Sequence, residues 1–186
     1  MSKTTEMLKS YVPYNKQERS DLEQIFKAEE VFGDILSREN KFCHMTAGAF
    51  IVNKEHTKVL CVFHNIFKTW ACVGGHADGD DDMLYVAKKE TKEETSLKNF
   101  VVVGDRPISV EILPIKSHER KGEYVPAHVQ LNVFYLFETD ENEAVQICED
   151  ENSNIGWLEF DQFLSVCEDY MKPVYEKIIE RIGNIS

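Results

Sequence analysis

Apolar residues change their spacing along the chain, and the change divides it. Over residues 4–40 they recur at helical intervals, with Leu22, Ile25, Phe26, Phe32 and Leu36 set among charges. Pro13 separates a short first helix from a longer second one, so residues 1–42 are expected to form a helical extension packed on a main domain, residues 43–186. From His44 the period shortens to that of strands. HMTAGAFIV and KVLCVFH are joined by the turn-like NKEHT, and VVVGD, ISVEILPI and HVQLNVFYLFE follow. The last of these is rich enough in β-branched and aromatic residues for a central strand. IGWLEF predicts a short strand. DQFLSVCEDY and PVYEKIIERI predict two closing helices, the second with Pro173 in its first turn and Val174, Ile178 and Ile182 on one face. Strands around an internal helix, with further helices at both ends, predict an α/β fold in which a mixed sheet lies between helical layers.

The internal helix carries the most unusual pattern. It belongs to GGHADGDDDMLYVAKKETKEET, residues 74–95, and is expected over residues 82–94, behind a glycine turn and capped by Asp80, Asp81 or Asp82. At about 100° per residue, Glu93 and Glu94 fall within roughly 60° of Glu90. Met83, Val86 and Ala87 share that arc, and Lys88, Lys89 and Lys92 fall opposite. Carboxylates that continue an apolar stripe face the protein, repel one another and lose hydration, at several kcal/mol if unpaired. Hard divalent cations with oxygen ligands offset such a cost. The wheel alone leaves a solvated edge as an equal alternative.

Composition narrows the setting. The chain has 186 residues, 42% hydrophobic and 29% charged, with a formal net charge of −12, which suits a soluble globular domain. The acidic balance argues against a nucleic-acid polymer as partner, but not against a small anionic substrate bridged by divalent cations. Five widely spaced cysteines without a CxxC pair suggest reduced thiols rather than a zinc site or disulfide framework. With no membrane-length apolar run and no signal-peptide core at the start, the expected location is the cytoplasm, without membrane attachment.

The stretch resembles the Nudix box, G-x5-E-x7-R-E-U-x-E-E-x-G-U, where U is a bulky aliphatic. Gly75, Asp81, Lys89-Glu90, Thr91, Glu93-Glu94, Ser96 and Leu97 stand at its positions. Trp70, the strand KVLCVFHN and AHVQLNVFYLFE are similar to the bacterial Nudix core, so the resemblance spans roughly residues 43–160. Asp81 stands for glutamate, Lys89 for arginine, Thr91 for an aliphatic and Ser96 for the helix-ending glycine.

The resemblance implies a Nudix-type α/β/α sandwich with an N-terminal helical extension, and a metal-dependent hydrolase that cleaves the pyrophosphate bond of a nucleoside diphosphate linked to another moiety. It implies Mg²⁺ or Mn²⁺ held by Glu90, Glu93, Glu94 and the Gly74 carbonyl, with Asp81 and Lys89 in support. Glu93 or Glu94 would remove a proton. Glu151 is the candidate for a further ligand or base from a later loop, with Glu149 and Asp150 as rivals. Gly75 lets the backbone approach the phosphates. His76 would touch a phosphate or steady a turn. His128 and Gln130 share a sheet face and could meet the substrate; Trp70 could stack on a ring or pack in the core. The basic segment HERKG, residues 118–122, could steer phosphates. The protein would act as a monomer or homodimer. Two other readings use the same fold: an isopentenyl diphosphate isomerase-like enzyme, for which Cys72 would serve, and a non-catalytic nucleotide-sensing module.

Overall fold

The computed structural model describes residues 2–120, 122–150 and 152–185. Two helices open the chain. α1, Lys3–Ser10, is capped by the Ser2 hydroxyl, which accepts from the Thr5 N–H; α2, Lys16–Phe32, is capped by Asn15, which accepts from Glu18. The helical pattern was expected to run to residue 40, but α2 ends at Gly33, where φ is +75°. The Asp34 carboxylate then accepts from the Leu36 and Ser37 N–H groups and holds a turn. Phe32, expected on the buried stripe, is exposed.

The sheet is built around two long parallel strands. β1 (Cys43–Asn53) pairs along its length with β9 (His128–Thr139), from Cys43↔Val129 to Asn53↔Thr139. The other edge of β1 is shared. β2 (Lys58–His64) takes Ile51 and Val52, and β4 (Val73–His76) takes Thr46 to Ala49, both antiparallel. β3 (Thr69–Ala71) and β10 (Asn152–Glu159) both pair with β2. β5 (Val101–Val102) and β6 (Ser109–Ile115) follow one another along β9. Gly74 and Gly75, read as a turn, are therefore strand residues opposite Gly48 and Ala47. Of the HERKG segment, His118–Arg120 forms β7, which pairs antiparallel with β8 (Glu123–Val125); Lys121 lies outside the described residues.

Strand alternation splits the core into two layers. Met45, Ala47, Ala49 and Ile51 meet Met83, Val86 and Ala87 of α3 (Met83–Thr95), with Leu8, Leu22 and Ile25 of the extension in the same cluster. Phe50, Val52, Val59 and Cys61 meet Phe163 of α4 (Phe160–Val166) and Tyr175, Ile178 and Ile182 of α5 (Lys172–Gly183). This is the mixed sheet between helical layers that the sequence predicts. α4 is shorter than DQFLSVCEDY suggested, and β10 is longer than IGWLEF. Among the described residues no helix is long and apolar enough to cross a membrane.

A buried ionic cluster ties the extension to the sheet and to α5. Lys177 Nζ lies 3.0 Å from Glu18 and 2.6 Å from Glu111, and Tyr11 donates to Glu18 at 2.8 Å. Arg181 reaches Glu18 at 3.5 Å. Burial alone would raise the Glu18 pKa, but the Tyr14 N–H and the Lys177 ammonium outweigh it and hold the carboxyl low.

Candidate active site

The loop from β4 to α3 is fixed before any ligand arrives. Asp82 caps α3 by accepting from the Tyr85 N–H at 3.0 Å. Asp78 and Gly79 both have positive φ, which brings the loop round sharply. The extension grips it from two sides. Arg38 makes a bidentate contact with Asp78, whose carboxyl that hydrogen bonding holds below its usual range. The Lys3 N–H donates to the Asp81 carboxylate at 3.1 Å, and the Thr4 hydroxyl to the Asp81 carbonyl at 2.9 Å. Asp81 thus sits at the start of α3 among residues of α1, about two turns from the nearest glutamate of the helix.

On α3 the buried arc is rotated from the one the wheel suggests. Thr91, about 100° from Glu90, is fully buried, and its hydroxyl is satisfied by the Ala87 carbonyl at 2.8 Å. The rotation sorts the three glutamates. Glu94 is 4% exposed. Glu90 is partly buried, and Glu93 is exposed rather than turned inward. Lys89, expected on the opposite side, lies 3.5 Å from Glu90 and 3.7 Å from Glu93. Burial works against its charge, but those two carboxylates outweigh it and raise its pKa.

Glu90 and Glu94 meet successive residues of β4. The Glu94 carboxylate accepts from the Gly74 N–H and from the Asn152 side-chain amide, each at 2.8 Å. The Glu90 carboxylate lies so close to Gly75 that a Cβ there would overlap it. A side chain at that position would displace the carboxylate, while the backbone conformation there is one any residue adopts. Glu151 lies outside the described residues. Asn152, one residue on, reaches Glu94, and no sequence signal marks it.

The helix face suits a hard cation. Oxygen donors line it, and the Lys89 ammonium already occupies a position between two carboxylates. Among the described residues no three acidic or histidine side chains are drawn into a finished ligand set.

The opposite sheet face near Gly74 is polar. His44 and Thr46 point to the side of Phe50; His128, Gln130 and Asn132 point to the side of Phe134 on the adjoining strand. The His44 ring lies 5.0 Å from His76 and 4.8 Å from His128. Burial pushes the His76 pKa down to about 3 and lowers that of His44. The alternation H-x-T and H-x-Q-x-N within otherwise apolar strands was the signal for His44 and Asn132. Trp70 packs edge-on against Phe63 at 5.8 Å beside the second core layer. Burial pushes the Cys72 thiol well above its usual range, which suits a packed side chain and not a catalytic thiolate.

A family model described as NUDIX domain matches residues 43–182, well over half of the chain. No curated protein matches the sequence. Among solved structures, a Caenorhabditis elegans Ap4A hydrolase in a binary complex is 21% identical, with a TM-score of 0.58 over 75% of this chain and 98% of that one. A MutT NUDIX hydrolase from Burkholderia pseudomallei is 16% identical, with a TM-score of 0.52 over 73% and 97%. A NUDIX-family hydrolase from Clostridium perfringens is 18% identical, with a TM-score of 0.51 over 75% and 97%. At these identities the likeness is one of fold.

Proposed function

This chain belongs to the Nudix family and is a pyrophosphohydrolase, and from that premise we propose that its substrate is a nucleoside diphosphate linked to another moiety, cleaved with Mg²⁺ or Mn²⁺. The observation that carries the reading is the placing of Glu90 and Glu94 against two successive glycines of β4, one carboxylate on the Gly74 N–H and the other over Gly75. A pyrophosphate laid along that strand meets backbone without side chains, and acid groups that hold cations.

Glu90, Glu93 and Glu94 would hold the ions, with the Gly74 carbonyl as the backbone ligand that the motif implies. Bound there, the ions neutralise the phosphate oxygens and lower the pKa of the attacking water. Glu94 is oriented by the Gly74 N–H on one oxygen and the Asn152 amide on the other. Glu93 is exposed and free to swing toward a water, and we assign it the removal of the proton. Lys89 keeps Glu90 and Glu93 from repelling each other before cations arrive. His76, next to Gly75, contributes a neutral ring to the phosphate path. His128 and Gln130 line the substrate side of the sheet.

The test is a hydrolysis panel of NDP-linked compounds with Mg²⁺ and with Mn²⁺, run on the wild type, Glu93→Gln and Glu94→Gln. Glu93→Gln, which loses the base, is expected to fall on the order of 10³-fold in kcat, and Glu94→Gln, which weakens the ion site, comparably, while the circular dichroism of both stays native. Near wild-type turnover in Glu93→Gln overturns its assignment as base, and undiminished turnover after chelation overturns the metal-dependent reading.

A further inference from the structure

We propose that Arg38 of the N-terminal extension is a positioning residue for the hydrolytic site: by occupying both carboxylate oxygens of Asp78, it leaves the Lys89 ammonium to Glu90 and Glu93. The proposal rests on the hydrolase reading above and adds to it a part for a residue outside the region that the family model matches.

The extension holds the loop from β4 to α3 almost residue by residue. The Leu36 carbonyl accepts from the Gly79 N–H at 3.2 Å, the Lys3 N–H and the Thr4 hydroxyl bind Asp81, and Lys3 Nζ lies 3.4 Å from Asp82. Asp80 is satisfied within the loop, where its carboxylate accepts from the Asp82 N–H at 2.9 Å. These contacts fix the path of the loop without Arg38. What Arg38 adds is charge and direction: its Nε donates to one oxygen of Asp78 at 2.5 Å and its Nη2 to the other.

As a fastening, this pair is weak. The Arg38 and Asp78 side chains are 38% and 47% exposed, and an ion pair so open to water adds little to stability. Its neighbourhood points to another use. Hydrogen bonding from Arg38 is the main reason that the Asp78 carboxyl is held low, and the charge of the Lys89 ammonium adds to it. Burial works against the Lys89 charge, while Glu90, Glu93 and, least, Asp78 support it. Asp78 is thus a third carboxylate within the electrostatic reach of Lys89.

Lys89 is placed to be redirected. It is half-exposed, and it stands 3.5 Å from Glu90 and 3.7 Å from Glu93. Both distances exceed the roughly 2.7–2.9 Å of a tight charge-assisted hydrogen bond. A lysine is a point charge on a flexible stem, and it turns toward the negative charge that is least matched. With Arg38 in place, both oxygens of Asp78 are taken. Without it, Asp78 becomes an unmatched carboxylate beside a loosely held ammonium. Lys89 then moves to Asp78, and Glu90 and Glu93 are left to repel each other.

Arg38→Ala is expected to lower kcat/KM about 10-fold, the scale for groups that orient metal ligands, with Tm within about 2 °C of the wild type. Adding Asp78→Asn removes the charge that draws Lys89 and keeps a residue that tolerates the positive φ there, so kcat/KM should return to within about 3-fold of the wild type. A purely structural bridge would not be rescued by cutting its other end. Metal-free crystal structures give a readout independent of turnover. Lys89 Nζ should lie within about 4 Å of the Asp78 carboxylate in Arg38→Ala, and back beside Glu90 and Glu93 in the double variant. Lys89 unmoved in Arg38→Ala, undiminished kcat/KM in that variant, or a loss that persists in the double variant overturns the proposal. If the wild type cleaves none of the NDP-linked compounds, it is the hydrolase reading that falls, and the crystal structures still decide whether Arg38 positions Lys89.

Discussion

Two clusters of carboxylates in this molecule are neutralised in different ways. Around Glu18 and Glu111, the Lys177 ammonium stands at 3.0 and 2.6 Å, Arg181 closes one side, and a tyrosine hydroxyl and a backbone N–H fill the remaining positions. On α3, Glu90 and Glu93 meet a half-exposed lysine at the longer distances of 3.5 and 3.7 Å, and Glu94 takes neutral N–H donors. The first cluster is closed: its charges are matched inside the protein, and it joins the extension, β6 and α5. The second is loosely matched and opens beside two glycines. The same residue type serves as a fastening where its counter-charge is close and enclosed and, in the function proposed for α3, as a receptor for cations where it is more loosely matched.

The largest effect should come from opening the closed cluster. Lys177→Met leaves Glu18 and Glu111 buried and facing each other, and should cost about 3–5 kcal/mol of stability in denaturant titration. Hydrolysis per folded molecule should hold, because Lys177 meets Glu111 on β6, which β9 and β1 separate from the glycines of β4. A loss below about 1 kcal/mol would mean that the cluster is wetter than its burial implies, and the contrast with α3 would weaken.

The converse change disturbs the open cluster and spares the fold. Gly75→Ala places a methyl where the Glu90 carboxylate lies. Glu90 must swing away, and kcat/KM should fall about 100-fold, since displacements of about an ångström at a reacting centre cost that much. The midpoint of unfolding should move less than in Lys177→Met. If activity survives, Glu90 has room that its contact with Gly75 denies.

The two clusters also differed in legibility. The open one announced itself, because Glu90, Glu93 and Glu94 occupy fixed spacings within a long gapped motif. The long strands and α3 were legible too, since their apolar periods are strong. The closed cluster was invisible: Glu18, Glu111 and Lys177 are far apart in sequence, and each alone reads as a surface charge. Gly74 and Gly75 read as a turn because glycine disfavours strands; pairing with β1 overrode that preference. The wheel put Glu93 inward because an ideal helix has no fixed rotation, and burying Thr91 turned α3 toward Glu94. Lys3 and Thr4 on Asp81, and Arg38 on Asp78, are tertiary contacts that no local pattern encodes.

Lys89 sits where the motif's more strongly bidentate residue would stand. Lys89→Ala removes the ammonium shared by Glu90 and Glu93, and should lower kcat about 10-fold, in the range for groups that orient metal ligands. Lys89→Arg should keep or raise it, because a planar fork can hold both carboxylates at once. A metal titration of each variant separates ligand orientation from overall charge: the loss in Lys89→Ala should persist at saturating Mg²⁺. Full recovery at high Mg²⁺ would make Lys89 a mere counter-charge.

The smallest effect concerns the end of the helix. Ser96 has φ 57° and ψ 14°, the left-handed region, and its N–H donates to the Lys92 carbonyl at 2.9 Å. The exit that glycine normally provides is thus kept by a serine, at about 1–2 kcal/mol for a residue with a Cβ. Ser96→Gly removes that strain but adds back about 0.5–1 kcal/mol of unfolded-chain entropy. A net gain of about 0.5 kcal/mol should remain, a rise of about 1–2 °C in Tm. Hydrolysis should not change, because the Gln146 N–H already holds the Thr95 carbonyl at 2.9 Å and fixes the end of α3 independently. A change in kcat without a change in Tm would place the helix exit within the open cluster, and the boundary between fastening and receptor would have to be drawn one turn further along α3.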